Sequence, residues 1–167
     1  MKTVDLILCG IFSAILSVFS MITIPIGAVP ITLGLFALFL LSLLLSPRLA
    51  VLSVLVYLLL GAVGLPVFSG MQGRIGVLLS PTGGYLLAYP PMAWLISRAR
   101  KKIPASILSL LVCYALETLQ FALITQRSLK ESIFICVVPF LVFDALKLVC
   151  ALLLSKSLKK RIPQNNK

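Results

Sequence analysis

Between Gly64 and Tyr85 the chain interrupts its own apolar character. Six glycines and two prolines fall within Gly-Leu-Pro-Val-Phe-Ser-Gly-Met-Gln-Gly-Arg-Ile-Gly-Val-Leu-Leu-Ser-Pro-Thr-Gly-Gly-Tyr, and long apolar runs stand on either side. Glycine permits positive φ and close backbone approach, while proline fixes φ and removes a hydrogen-bond donor. A stretch rich in both is a shaped loop, a kind that often carries function. Composition alone leaves a ligand-facing cap and a simple connector equally open.

The flanking runs set the fold class. The 167 residues are 60% hydrophobic and 11% charged, with a mean hydropathy of +1.16. Soluble domains carry about 25% charged residues, so the chain reads as all-α and membrane-embedded. Its length accommodates one domain over residues 1–167 with six spans of about 20 residues each. The runs are 4–24, 33–45, 49–64, 83–96, 107–125 and 139–158. The second is short for a span, and Pro90-Pro91 should kink the fourth unless neighbouring groups replace the lost bonds. Ile24-Pro-Ile-Gly-Ala-Val-Pro-Ile-Thr32 reads as a compact apolar turn. No secretory signal is recognisable at Met1–Asp5, so the N-terminus is expected to be retained.

Charge gives the orientation. The net charge is +11. With the N-terminus inside, the inner segments hold Lys2, Arg48, Arg98, Arg100, Lys101, Lys102, Lys156, Lys159, Lys160, Arg161 and Lys167. The outer loops hold Arg74, Arg127 and Lys130. This is a positive-inside pattern that puts both termini in the cytoplasm and the glycine-rich loop outside. It also accounts for the basic balance without nucleic acid, since no basic stripe is interleaved with aromatics. The four cysteines lie in apolar runs without a C-x-x-C pair, and the chain has no histidine, so no metal site is expected.

Ionisable groups inside spans cost a few kcal/mol even on mild scales. Asp144 and Lys147 are three apart in the last run and share a helical face. They read either as a self-neutralising pair that packs the bundle or as the polar end of a ligand pocket. A carboxylate suits N–H donors on a ligand, and an ammonium suits a ligand carboxylate. Starting the helix at Pro139 places the pair beneath the outer loop, with Phe140 and Phe143 as an aromatic wall. Glu117, three residues before Gln120, is expected to form a structural hydrogen bond or to partner Lys147, slightly ahead of touching a ligand directly. Thr82, Gly83, Gly84 and Tyr85 open the fourth span with backbone N–H groups that suit an anion or a carbonyl, although an ordinary helix start explains them equally well. On the first span Gly10, Ser13, Ala14 and Ser17 have the small-residue spacing that lets another helix approach in lipid. No Walker motif occurs, and with no histidine the usual general base is absent.

Three stretches together resemble the BioY family, the biotin-binding S components of energy-coupling-factor (ECF) transporters. They are Tyr57-Leu-Leu-Leu-Gly-Ala-Val-Gly-Leu-Pro-Val-Phe-Ser-Gly70, Pro81-Thr-Gly-Gly-Tyr-Leu86 and Pro139-Phe-Leu-Val-Phe-Asp-Ala-Leu-Lys147. Ile26-Gly-Ala-Val-Pro-Ile-Thr32 and Ser46-Pro-Arg48 also fit. The resemblance implies six helices in the cell membrane, biotin in an occluded pocket near the outer surface, and outer loops as its lid. It implies that biotin is the transported substrate rather than a cofactor, and that a T component and ATP-binding cassette ATPases supply the energy. Small residues of the first helix, Gly10, Ser13, Ala14 and Ser17, would dock on the coupling subunit. In the pocket, Asp144 would accept a ureido N–H, the amides of Thr82–Tyr85 would donate to an oxygen, and Phe68, Tyr85 and Phe143 would cover the apolar ring. Ser69 and Gly70 belong to the lid, and Lys147 or Arg74 would take the carboxylate. The rivals are an S component for another small vitamin and, more distantly, a small membrane enzyme using Asp144, Lys147 and Glu117 as acid and base.

Overall fold

A computed structural model describes residues 3–24 and 29–159. Its helices are α1 Thr3–Met21, α2 Gly34–Leu44, α3 Pro47–Ala62, α4 Ile75–Leu78, α5 Gly83–Arg98, α6 Lys102–Thr125, α7 Leu129–Cys136 and α8 Leu141–Leu158. The apolar turn after α1 is framed by a two-residue antiparallel ribbon, Thr23–Ile24 (β1) against Ile31–Thr32 (β2). Residues 25–28 of that turn, with Lys2, Lys160, Arg161 and Lys167, lie outside the described residues.

Helix α2 is the axis of the bundle. All its residues but Phe36 are buried, and α1, α5 and α8 pack around it. Eleven residues rise only about 16 Å, roughly half the hydrocarbon thickness. By length and hydropathy α1 and α6 each suffice for a span, and α7 with α8 form a third if their 48° bend is taken as a break within one. Six helices of eleven residues or more correspond in order to the six apolar runs. Helix α5 continues through Pro90 and Pro91.

Polarity runs opposite to that of a water-soluble domain. Ile7, Ile11, Leu111, Leu119, Leu146 and Leu153 point outward, while Ser13, Ser42, Ser53 and Ser109 lie inside with Asp144 and Lys147. Buried serines return their hydroxyls to the preceding turn, as in Ser42 Oγ to Leu38 O at 2.6 Å and Ser53 Oγ to Leu49 O at 2.8 Å. At the end of α5 remote from Gly83, Lys102 Nζ donates to the carbonyls of Ile96 and Ser97, satisfying acceptors the helix end leaves open.

Two expectations change here. Pro139 does not start the last helix. The chain turns at Val137–Phe140 and α8 begins at Leu141. The small residues of α1 also do not form one strip: Gly10 and Ala14 face outward, while Ser13 and Ser17 are buried. The reason is angular, because a three-residue step rotates about 60° away from the face that a four-residue step nearly repeats.

Candidate functional site

The ends of α1, α3, α5 and α8 beside the glycine-rich segment frame an open-mouthed cavity of about 620 Å³, a volume that includes the solvent space at its mouth. One wall is charged. Asp144, in the first turn of α8, is 1% exposed, and Lys147 one turn on is 9% exposed. Lys147 Nζ donates to Asp144 Oδ1 at 2.8 Å, and the Tyr114 hydroxyl donates to Oδ2 at 2.9 Å. Both carboxylate oxygens are therefore held, yet each keeps a lone pair and the ammonium keeps two further protons. Asp144 and Lys147 both line the cavity.

A second wall carries hydroxyls: Ser20 at the end of α1, Thr32 on β2, Tyr57 on α3, Ser69 in the loop and Tyr89 on α5. Ser20 Oγ and Tyr57 Oη neighbour one another, but neither makes a hydrogen bond of good geometry among the described residues. Buried hydroxyls without partners are costly, and these two face a cavity. Val29, Leu35, Val77, Leu86 and Phe140 supply apolar surface between the walls. Such a space suits a compact amphiphile with polar groups at its extremities.

The glycine-rich segment is folded rather than slack. After α3, Gly64 takes φ +110° and Gly70 φ +66°, left-handed positions where a side chain is strained. Gly70 N donates to Thr23 Oγ1 at 3.2 Å, tying the loop to β1. Phe68 is fully buried but does not line the cavity; it fills the space that Gly61 leaves empty and meets Tyr57 edge-on at 5.5 Å. Its expected place over a ligand ring is thus corrected: it stands behind Tyr57, which stacks on Tyr89 at 6.3 Å. Arg74 is exposed and off the cavity wall.

Thr82 and Tyr85 line the cavity, whereas Gly83 and Gly84 serve helix packing. A Cβ on Gly84 would lie 2.6 Å from Glu117 Cα, so α5 and α6 meet there at backbone contact. Glu117 Oε2 accepts the Tyr85 N–H at 3.0 Å, with the Gly84 N–H beside it. Of the helix-start amides expected to donate to a ligand, those of Gly84 and Tyr85 turn to the Glu117 carboxylate, the structural option foreseen for it, and that of Gly83 donates to the Ser80 carbonyl at 2.9 Å. Phe143 is 44% exposed and turned outward, and Phe140, four residues before Asp144, takes the cavity face instead.

Tyr85 was expected at the site; the residues that sequence reasoning overlooked are mainly the other phenols, Tyr57, Tyr89 and Tyr114. The chain has four tyrosines. Tyr57, Tyr85 and Tyr89 line the cavity, and Tyr114 bonds Asp144. The Tyr85 hydroxyl donates to the Cys136 carbonyl, and its ring lies 5.9 Å from that of Phe140. The signal was available: a phenol inside an apolar run needs a partner, and all four stand in such runs.

Comparison with known proteins now bears on this cavity. The BioY family model matches residues 1–164. This chain belongs to the BioY family. A relative described as the probable biotin transporter BioY of Pyrococcus horikoshii is 36% identical over 161 residues, which are 95% of this chain and 98% of that protein. The biotin transporter BioY of Thermotoga maritima is 38% identical over 163 residues, covering 93% and 96%. The fold matches the crystal structure of an S component for biotin from an ECF-type ABC transporter, with a TM-score of 0.86 and 24% identity over 97% of this chain and 96% of that one. In BioY terms, the charged cavity wall is built by the Pro139–Lys147 stretch on which the resemblance partly rests.

Proposed function

We propose that this chain is the membrane-embedded S component of an ECF transporter that captures biotin from outside the cell and releases it to the cytoplasm. It would work in the cell membrane as a six-span protein with both termini cytoplasmic, driven by a T component and ATP-binding cassette ATPases. The observation that carries the reading is the buried Asp144–Lys147 pair on a cavity wall, in a chain so similar to named biotin transporters.

The pair's geometry favours one ligand orientation. A carboxylate and an ammonium 2.8 Å apart present an acceptor beside a donor. A ureido ring presents the complement, an N–H beside a C=O. A ligand carboxylate brought to the same place would meet Asp144 as well as Lys147, and like charges repel. The ureido group therefore belongs at Asp144 and Lys147, and the tail carboxylate at the hydroxyl wall of Ser20 and Tyr57, with Arg74 on the exposed lid as a more distant cation. Gly10 and Ala14, the outward pair of α1, are the contact face for the coupling subunit.

Binding of radiolabelled biotin to the purified chain in detergent, with other vitamins as competitors, tests this function. Saturable binding displaced by biotin alone supports it. Displacement by a different vitamin at lower concentration would assign the cavity to that compound.

A further inference from the structure

Helix α6 carries Tyr114, Glu117 and Gln120 at three-residue steps, so each side chain stands about 60° further round the helix than the one before. Each holds a different part of the cavity's surroundings. Tyr114 bonds Asp144 on α8, and Glu117 bonds the Tyr85 amide at the start of α5. Gln120 Nε2 donates to the carbonyls of Leu78 and Ser80, both at 2.8 Å. An amide nitrogen has two protons, and both are used.

Those two acceptors close the short helix α4. Four residues, Ile75–Leu78, cannot hold a helix by themselves, and carbonyls at a helix end lack intrahelical donors. Val77 of this element lines the cavity, and Thr82 lines it just beyond. The approach of Gln120 is also specified in the sequence, because a Cβ on Gly83 would stand 2.6 Å from Nε2. Gln120 itself is not on the cavity wall.

We propose that Gln120 is a positioning residue that latches the lid segment, α4 with Ser80–Thr82, over the ligand cavity, and that its two hydrogen bonds set the rate at which ligand leaves. The proposal rests on the biotin-binding reading. Lid opening must break both bonds at once, whereas the Asp144 wall is held independently by Tyr114 and Lys147. The latch therefore governs exchange rates more than the contacts made by bound ligand.

The test compares Gln120→Met and Gln120→Lys in the purified full chain. Methionine keeps the length and loses both donors, while lysine keeps N–H donors at similar reach. Dissociation of radiolabelled biotin into a cold chase is read alongside amide hydrogen exchange at residues 75–82 in ligand-free protein. Gln120→Met should release biotin at least tenfold faster, raise exchange at 75–82, and change Kd less than the off-rate because entry also accelerates. Gln120→Lys should recover much of the slow release, whereas a space-filling role would make methionine the better substitute. Wild-type off-rate and exchange in a folded Gln120→Met protein would overturn the latch, as would faster exchange of the whole bundle rather than of the lid. Failure of the wild-type protein to bind biotin would count against the functional reading, while the exchange at 75–82 still decides whether Gln120 holds the lid.

Discussion

Asp144 and Glu117 are both carboxylates on apolar helices, and both are withdrawn from solvent, at 1% and 0% exposure. Their surroundings differ in kind. Asp144 stands on a cavity wall beside a cation, with an aromatic hydroxyl fixing its second oxygen. Glu117 stands behind the wall, where Oε2 takes the Tyr85 amide and Oε1 has no partner of good geometry beside the Cys136 thiol. What separates the two acids is place rather than pairing: Asp144 lines the cavity, whereas Glu117 lies off it and meets the protein's own Tyr85 amide. The cost of burial applies to both; the place decides what it achieves.

The largest effect that could break this contrast is at the cavity wall. Asp144→Asn removes a charged acceptor worth about 1.5–3 kcal/mol, so biotin affinity should fall roughly ten- to a hundredfold. Isothermal titration on folded protein reads this directly, and an unchanged Kd would make Asp144 a brace like Glu117. Next comes Gly84→Val. Its side chain would enter the backbone contact with Glu117, so α5 and α6 must separate. Thermal unfolding in detergent should show a marked loss of stability together with lost binding. Intact stability with lost binding would restore Gly84 to a ligand-facing role.

Glu117→Gln should be milder. The amide oxygen can still accept the Tyr85 N–H, so the midpoint should drop by a few degrees while Kd stays within about threefold, since one neutral hydrogen bond contributes about 1 kcal/mol. An affinity loss matching that of Asp144→Asn would erase the distinction. The smallest effect on binding is expected on α1. Leucine at both Gly10 and Ala14 faces outward, so biotin binding should persist. Co-purification with the coupling subunit and ATP-driven uptake should both collapse, as added bulk blocks close helix approach. Normal uptake would mean that this face meets only lipid.

Much of this contrast was legible in the sequence. Intramembrane charge marked Asp144, Lys147 and Glu117, and three-residue spacing paired the first two. A structural bond for Glu117 was among the options. Its partner was not, because the meeting of α5 and α6 at Gly84 is a tertiary fact that glycine content alone does not reveal. Reading Gly83 and Gly84 as ligand-facing followed from their place at a helix start, whereas Gly84 permits a backbone contact between helices and Gly83 admits the Gln120 side chain. Phe143 was a lapse of angle: one residue before Asp144 it lies about 100° round the helix, while Phe140 at four residues shares the face. The same arithmetic separates Gly10 and Ala14 from Ser13 and Ser17. The hydroxyl wall escaped notice because Ser20, Thr32, Tyr57 and Tyr89 come from four separate elements.

The central claim is that Asp144 receives the ureido group, and a two-by-two binding cycle tests it most directly. Wild-type and Asp144→Asn proteins are each titrated with biotin and with biotin methylated on a ureido nitrogen. The account predicts that wild type loses at least tenfold affinity on methylation, and that Asp144→Asn discriminates between the two ligands far less, giving a clear coupling energy. Equal discrimination by the two proteins would show that the ureido N–H meets some other group, and the assignment of this wall would be wrong.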